Sequence, residues 1–315
     1  MNKIEFITLK NNKGLEVILS NFGASFYRII YKGEDMILTP RDESVFLDNS
    51  RYYGLTIGRI AGRVKNGLLV IDDKTYKLEQ NEGTNSLHGG INTIAHKYWD
   101  YEVNKGEEYS SVLFVINTAN GEAGYNGNCL YKVEYRLYHE NNIIELRYDA
   151  LCDQTTLFNM TNHVYFNLGY QKNILNHELE IKADEVSTFD DDFAISGYKS
   201  VSGTIFDFNN MKRIGKDIDD KELHIEHLNG YDHRFHLVDP INKPIVLRND
   251  KYQLEIYTDF DGVHVYTSGF TDHDILINGR KEALYNGVAL ECHNIYPERV
   301  EKNTHYQHFI KYILK

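Results

Sequence analysis

Histidine, arginine and acidic side chains gather in five short segments of this chain, each where an apolar alternation stops. They are 57–63 (IGRIAGR), 85–90 (NSLHGG), 159–168 (NMTNHVYFNL), 230–235 (GYDHRF) and 289–294 (ALECHN). Imidazoles and carboxylates are the groups that move protons near neutral pH, and a guanidinium offers a fixed fork of donors to oxygen-rich ligands. Taken one at a time, each segment has a plainer explanation. A histidine in a β protein is more often a hydrogen-bonded structural residue than a catalyst. His88 before two glycines can mark a turn, and Glu291 can be a solvated strand end. Asp232 beside Arg234 can be a surface pair worth little, and Arg59 and Arg63 can be solvated loop charges.

The elements between these segments read as strands. Alternation runs through 4–9, 15–19 and 26–31, then through 68–71 and 75–78 around the turn residues Asp72, Asp73 and Lys74. Further runs at 111–116, 131–138 and 143–150 are rich in β-branched and aromatic residues, with Asn141-Asn142 as a turn. The second half continues with 177–183, 232–237, 252–257, 263–268 and 288–291. Helical periodicity is hard to find, and many short strands separated by Gly, Asn and Asp clusters predict an all-β chain folded as a large antiparallel β-sandwich. No linker, repeat or low-complexity tract divides it, so 1–315 is expected to form one domain.

Charge narrows the partners. Against 34 basic residues stand 46 acidic ones, a net charge of −12, which repels phosphate backbones and anionic lipid surfaces. Neither nucleic acid nor a membrane is expected as a partner, whereas a neutral small molecule meets no such repulsion. Cys129, Cys152 and Cys292 are odd in number and widely spaced, which predicts reduced thiols and a cytoplasmic setting. The first residues alternate without an apolar signal core, and no uncharged apolar run approaches membrane-spanning length. The histidines, His224, His227, His233 and His236 among them, do not follow a zinc-binding spacing, and no metal is expected.

Taken together and in order, the five segments resemble the aldose 1-epimerase (galactose mutarotase) family across nearly the whole chain. Residues 85–90 are similar to its Asn-x-Leu-His-Gly-Gly element, 161–168 to Thr-Asn-His-x-Tyr-Phe-Asn-Leu, and 230–233 to Gly-Tyr-Asp-His. The resemblance implies a galactose mutarotase-like supersandwich with a cofactor-free sugar cleft. It implies Glu291 as general base and His163 as general acid, with Arg63, His88 and Asp232 binding the sugar. His264 stands where a glutamine is usual and is expected to bind the sugar too. Gly62 replaces the asparagine of the usual Asn-Arg pair, removing an amide that could contact the sugar. Around Glu291, the familiar Glu-x-Gln becomes Glu291-Cys292-His293.

The implied reaction interconverts the α and β anomers of a free aldohexose such as galactose or glucose. A base takes the anomeric proton while an acid protonates the ring oxygen, so Glu291 is expected to be ionised and His163 protonated in the productive complex. The expected protein is a monomer or homodimer. Two other readings are a non-catalytic carbohydrate-binding protein on the same scaffold, and an epimerase of phosphorylated hexoses with Arg59, Arg234 or Lys65 on the phosphate. Trp99 borders the cleft or belongs to the core.

Overall fold

Alternate burial along the strands creates two apolar sheet faces, and these meet. In the computed structural model, which describes residues 3–190, 193–224 and 228–315, the largest sheet has nine strands. Its spatial order is Asp100–Lys105, Tyr109–Thr118, Cys129–Tyr138, Ile143–Cys152, His305–Leu314, Gln253–Thr258, Ile245–Arg248, Glu178–Glu180 and Lys212–Arg213. A six-stranded sheet runs Tyr165–Phe166, Val288–Cys292, Gly262–Tyr266, Asp232–Leu237, Ala183–Phe189 and Ile195–Ser200. A third sheet, built from Phe6–Lys10, Leu15–Ser20, Ser25–Tyr31 and Glu34–Asp35, adds four strands near the start of the chain. Neighbouring strands pair antiparallel throughout these sheets. The large antiparallel β-sandwich expected from the sequence is therefore what forms.

Side chains of the two large sheets share one core. Val133, Tyr135, Leu146, Tyr148, Ile310 and Tyr312 from the nine-stranded sheet belong to the same buried cluster as Phe235, Val263, Val265, Leu290 and Cys292 from the six-stranded one. Burying each such side chain contributes roughly 1.5–3 kcal/mol, which fixes the register, because a one-residue slip would turn the whole row to water. Phe26 of the N-terminal sheet closes the end of this core, edge-on to Tyr135 at 4.8 Å. In the six-stranded sheet the same alternation sends Asp232, Arg234, His264, Tyr266 and Glu291 to the opposite face.

Several expectations need adjusting. Cys129 and Cys152 are register partners on neighbouring strands, with Cα atoms 4.2 Å apart, and are joined as a disulfide; Cys292 alone is a free, buried thiol. A separation of 23 residues hides this pairing, which the antiparallel register creates. The cysteines consequently lend no support to a reducing compartment. The run 177–183 is two strands, not one: Glu178–Glu180 lies in the nine-stranded sheet and Ala183–Phe189 in the six-stranded sheet. The ten-residue strand His305–Leu314, whose apolar alternation is interrupted by histidine and lysine, pairs on both sides within the large sheet. One short helix, Glu43–Asp48, also escaped the pattern. Trp99 is a core residue, 2% exposed, with its indole N–H donating to the Ile94 carbonyl at 2.9 Å. Among the described residues no helix is long and apolar enough to cross a membrane.

Candidate functional site

One wall of the site is a row across three strands. Arg234 is the register partner of His264, and His264 of Glu291; two residues along, Asp232 partners Tyr266. Directly opposed residues of an antiparallel pair project to the same face, so this polar row stands over the apolar row that packs the core. His264 Nε2 donates to Asp232 Oδ1 at 2.5 Å. Its Nδ1 is buried without a partner, as suits a neutral ring carrying its proton on Nε2.

The facing wall comes from loops held by main-chain hydrogen bonds. His163 N donates to the Leu55 carbonyl at 2.9 Å, and the His163 carbonyl accepts from Gly54 N at 3.0 Å. On one side Thr161 Oγ1 donates to the Cys292 carbonyl at 2.9 Å, tying this loop to the strand that carries Glu291. His88 has a positive φ of 52° and accepts from Gly62 N through Nδ1 at 3.3 Å, which assigns its proton to Nε2. The next residue must be glycine. Gly89 has φ +95°, and a Cβ there would lie 2.3 Å from the Gly58 carbonyl oxygen. Arg63 is clamped by Glu82 through two parallel hydrogen bonds of 2.6 and 2.7 Å.

These walls enclose a cavity of about 590 Å³ lined by all six residues singled out from the sequence: Arg63, His88, His163, Asp232, His264 and Glu291. His163 Nε2 stands 3.5 Å from Glu291 Oε1, and both side chains are almost fully buried. Other lining residues were not singled out, notably Arg51, Tyr52, Glu82, Tyr165, Tyr266, Phe270 and His293. Tyr165 and His293 lie inside the polar segments and were legible there, whereas the reach of Glu82 to Arg63 depends on loop packing that spacing does not report. Rings crowd His163: Tyr165 lies 4.9 Å away, His88 5.3 Å and Tyr52 5.8 Å between centroids.

Burial sets the electrostatics. Desolvation and the neighbouring Asp232 charge push the Glu291 carboxyl up to about 8, against the pull of Arg234 and Arg63. Desolvation pushes His163 down to about 3. The free pocket thus favours a neutral imidazole beside a protonated carboxyl, the reverse of the ionised Glu291 and protonated His163 expected of the productive complex. Asp232 goes the other way: burial raises it, but the hydrogen bond from His264, with the Arg63 charge, outweighs that and holds it well below the ordinary range. Donor atoms of His88, His163 and Glu291 lie within 4.8 Å of one another, so this trio could also accept a metal ion.

The other candidates lie elsewhere. Arg59 is 4% exposed and donates to Tyr131, the Asn126 carbonyl and Thr156 at 3.0, 2.7 and 2.8 Å, a structural role. Lys65 pairs with Asp190 at 2.6 Å, and Arg234 donates to the Ile295 carbonyl at 2.9 Å; none of these three cations lines the cavity. His233 turns to the core side between Phe206 and Phe189, His224 bonds the Ile218 carbonyl, and His236 pairs with Asp184. His227 lies outside the described residues.

Comparison with known proteins agrees with this architecture. The family model described as aldose 1-epimerase matches residues 5–312. An aldose 1-epimerase of Escherichia coli (strain K12) is 33% identical over 299 residues, covering 90% of this chain and 84% of its own. A galactose mutarotase of Sus scrofa is 34% identical over 295 residues, covering 90% and 81%. The crystal structure of a galactose 1-epimerase from Lactobacillus acidophilus NCFM superposes with a TM-score of 0.89 at 27% identity, over 100% of this chain and 99% of that one. The chain belongs to the aldose 1-epimerase family.

Proposed function

We propose that this protein is an aldose 1-epimerase, an isomerase that interconverts the α and β anomers of a free aldohexose such as galactose or glucose. The observation that carries the reading is the meeting of His163 and Glu291, 3.5 Å apart, in one cavity with Arg63, His88, Asp232 and His264. O1 and O5 of a pyranose share the carbon C1, so the groups that exchange protons with them must be near neighbours. Glu291 takes the proton from the O1 hydroxyl as His163 gives one to O5, and the C1–O5 bond opens to the aldehyde. Rotation about C1–C2 presents the other face, and the same transfers run backwards to close the opposite anomer. Proton transfer of this kind is typically worth about 10² to 10⁴ in rate.

The reactive pair holds one proton, and the productive form places it on His163. Arg63 and Arg234 favour that form by attracting the Glu291 carboxylate. Asp232, His264, His88 and Arg63 hold the ring hydroxyls; hydrogen bonds to charged groups contribute roughly 1.5–3 kcal/mol each. Tyr52, Tyr165 and Tyr266 offer apolar faces to sugar C–H groups. The substrate is a neutral sugar, in keeping with the net charge of −12 and with the absence of Arg59, Lys65 and Arg234 from the cavity lining. Polarimetry on freshly dissolved α-anomer tests the reading: the protein should speed the approach to equilibrium rotation, and a rate equal to buffer would refute it.

A further inference from the structure

Arg234 ends the row Arg234, His264, Glu291 that carries one wall of the site, but its own side chain does not line the cavity. Its side chain is buried, at 6% exposure, with Nη1 donating to the Ile295 carbonyl at 2.9 Å and Nε without a partner. The Tyr198 phenol is its other side-chain neighbour. Both partners are neutral. A buried guanidinium favours negative charge facing it, and the carboxyl groups that act on this one are Glu291, negative only once it ionises, and Asp261.

A second observation comes from the opposite loop. Gly62 has φ +78°, and a Cβ built on it would lie 2.7 Å from Arg234 Nη2, closer than real Cβ contacts come. Asparagine tolerates positive φ better than most residues, so the backbone angle by itself does not demand glycine at position 62. A side chain here would have to adopt a positive φ and also push the tip of the Arg234 guanidinium from its present place.

We propose that Arg234 is a positioning residue of the reaction: its guanidinium takes the space of a side chain at position 62 and stands as a fixed positive charge behind Glu291, so that Gly62 and Arg234 function as a pair. This rests on the reading of Glu291 as the base. The other charged or titratable groups facing Glu291 are Asp232, His264, Arg63, His88, His163, His293, Tyr165 and the neighbouring Cys292. Of these, Asp232 opposes ionisation and Arg63 assists it.

The test compares R234Q, R234K, R234A, G62N and G62N/R234A with the wild-type enzyme by polarimetric kcat/KM between pH 5 and 10. Without the positive charge, Glu291 holds its proton more tightly. The productive form with the proton on His163 becomes rarer, and the fully deprotonated pair appears only at higher pH. R234Q should therefore lower the plateau about tenfold and move the alkaline limb up by about one pH unit, while R234K keeps the limb near its wild-type place. G62N, which leaves Arg234 intact, should lose about tenfold or more, but less than about twofold when added to R234A, because the clash has gone. An R234Q profile that overlays the wild type after scaling to the folded fraction, or losses that simply multiply in the double variant, would overturn the inference. A wild-type protein without mutarotase activity would instead refute the reading of the site itself.

Discussion

Replacing Glu291 by glutamine should stop the reaction and stabilise the fold, and the stabilisation should depend on pH. Glu291 is 2% exposed, and its carboxyl is pushed from 4.5 to about 8. Such a group adds nothing unfavourable below pH 4.5, where folded and unfolded chains both hold the proton. As pH rises towards 8 the unfolded chain ionises while the folded one cannot, so folding becomes progressively less favourable. At about 1.4 kcal/mol per unit, a shift from 4.5 to about 8 corresponds to about 5 kcal/mol, an upper figure that relaxation around the charge reduces to roughly 2–5 kcal/mol. Glutamine keeps the shape and abolishes the titration. The difference in melting temperature between E291Q and wild type should be near zero at pH 4.5 and reach several degrees in favour of E291Q at pH 8. Calorimetric scans at four or five pH values measure it, while polarimetry should show a rate loss of about 10² to 10⁴. Parallel melting curves across the whole range would show that Glu291 titrates normally, and the electrostatic argument for the site would fall with them.

Three further outcomes follow from the same geometry. Wild-type kcat/KM should hold up to about pH 8 and fall above it, as the His163–Glu291 pair loses its proton; activity still rising at pH 9 would contradict a one-proton pair. Asp232→Asn removes a charged acceptor and should raise KM roughly 10- to 150-fold, read by sugar titration, and an unchanged KM would take Asp232 out of the binding set. Arg59→Met strands the Tyr131, Asn126 and Thr156 acceptors in the interior. It should cost roughly 2–4 kcal/mol in denaturant melts with kcat of the folded protein kept, and a loss of turnover without loss of stability would refute its structural role.

Much of this was legible in the chain itself. Period-two alternation over 131–138, 143–150 and 232–237 identifies half-buried strands whatever they pair with, because that period is a property of the extended backbone. The segments around His88, His163, Asp232 and Glu291 likewise stood out, since each interrupts an apolar run with groups that folding would not otherwise choose. Pairings separated by long stretches of sequence were beyond reach. The Cys129–Cys152 bridge, the Glu82 clamp on Arg63, the place of His305–Leu314 within the large sheet and the contact between Gly62 and Arg234 all depend on register and loop approach. Protonation was hidden for a related reason. A carboxyl and an imidazole acquire shifted affinities for protons only when water is removed from around them, and it is the closed sandwich that removes it.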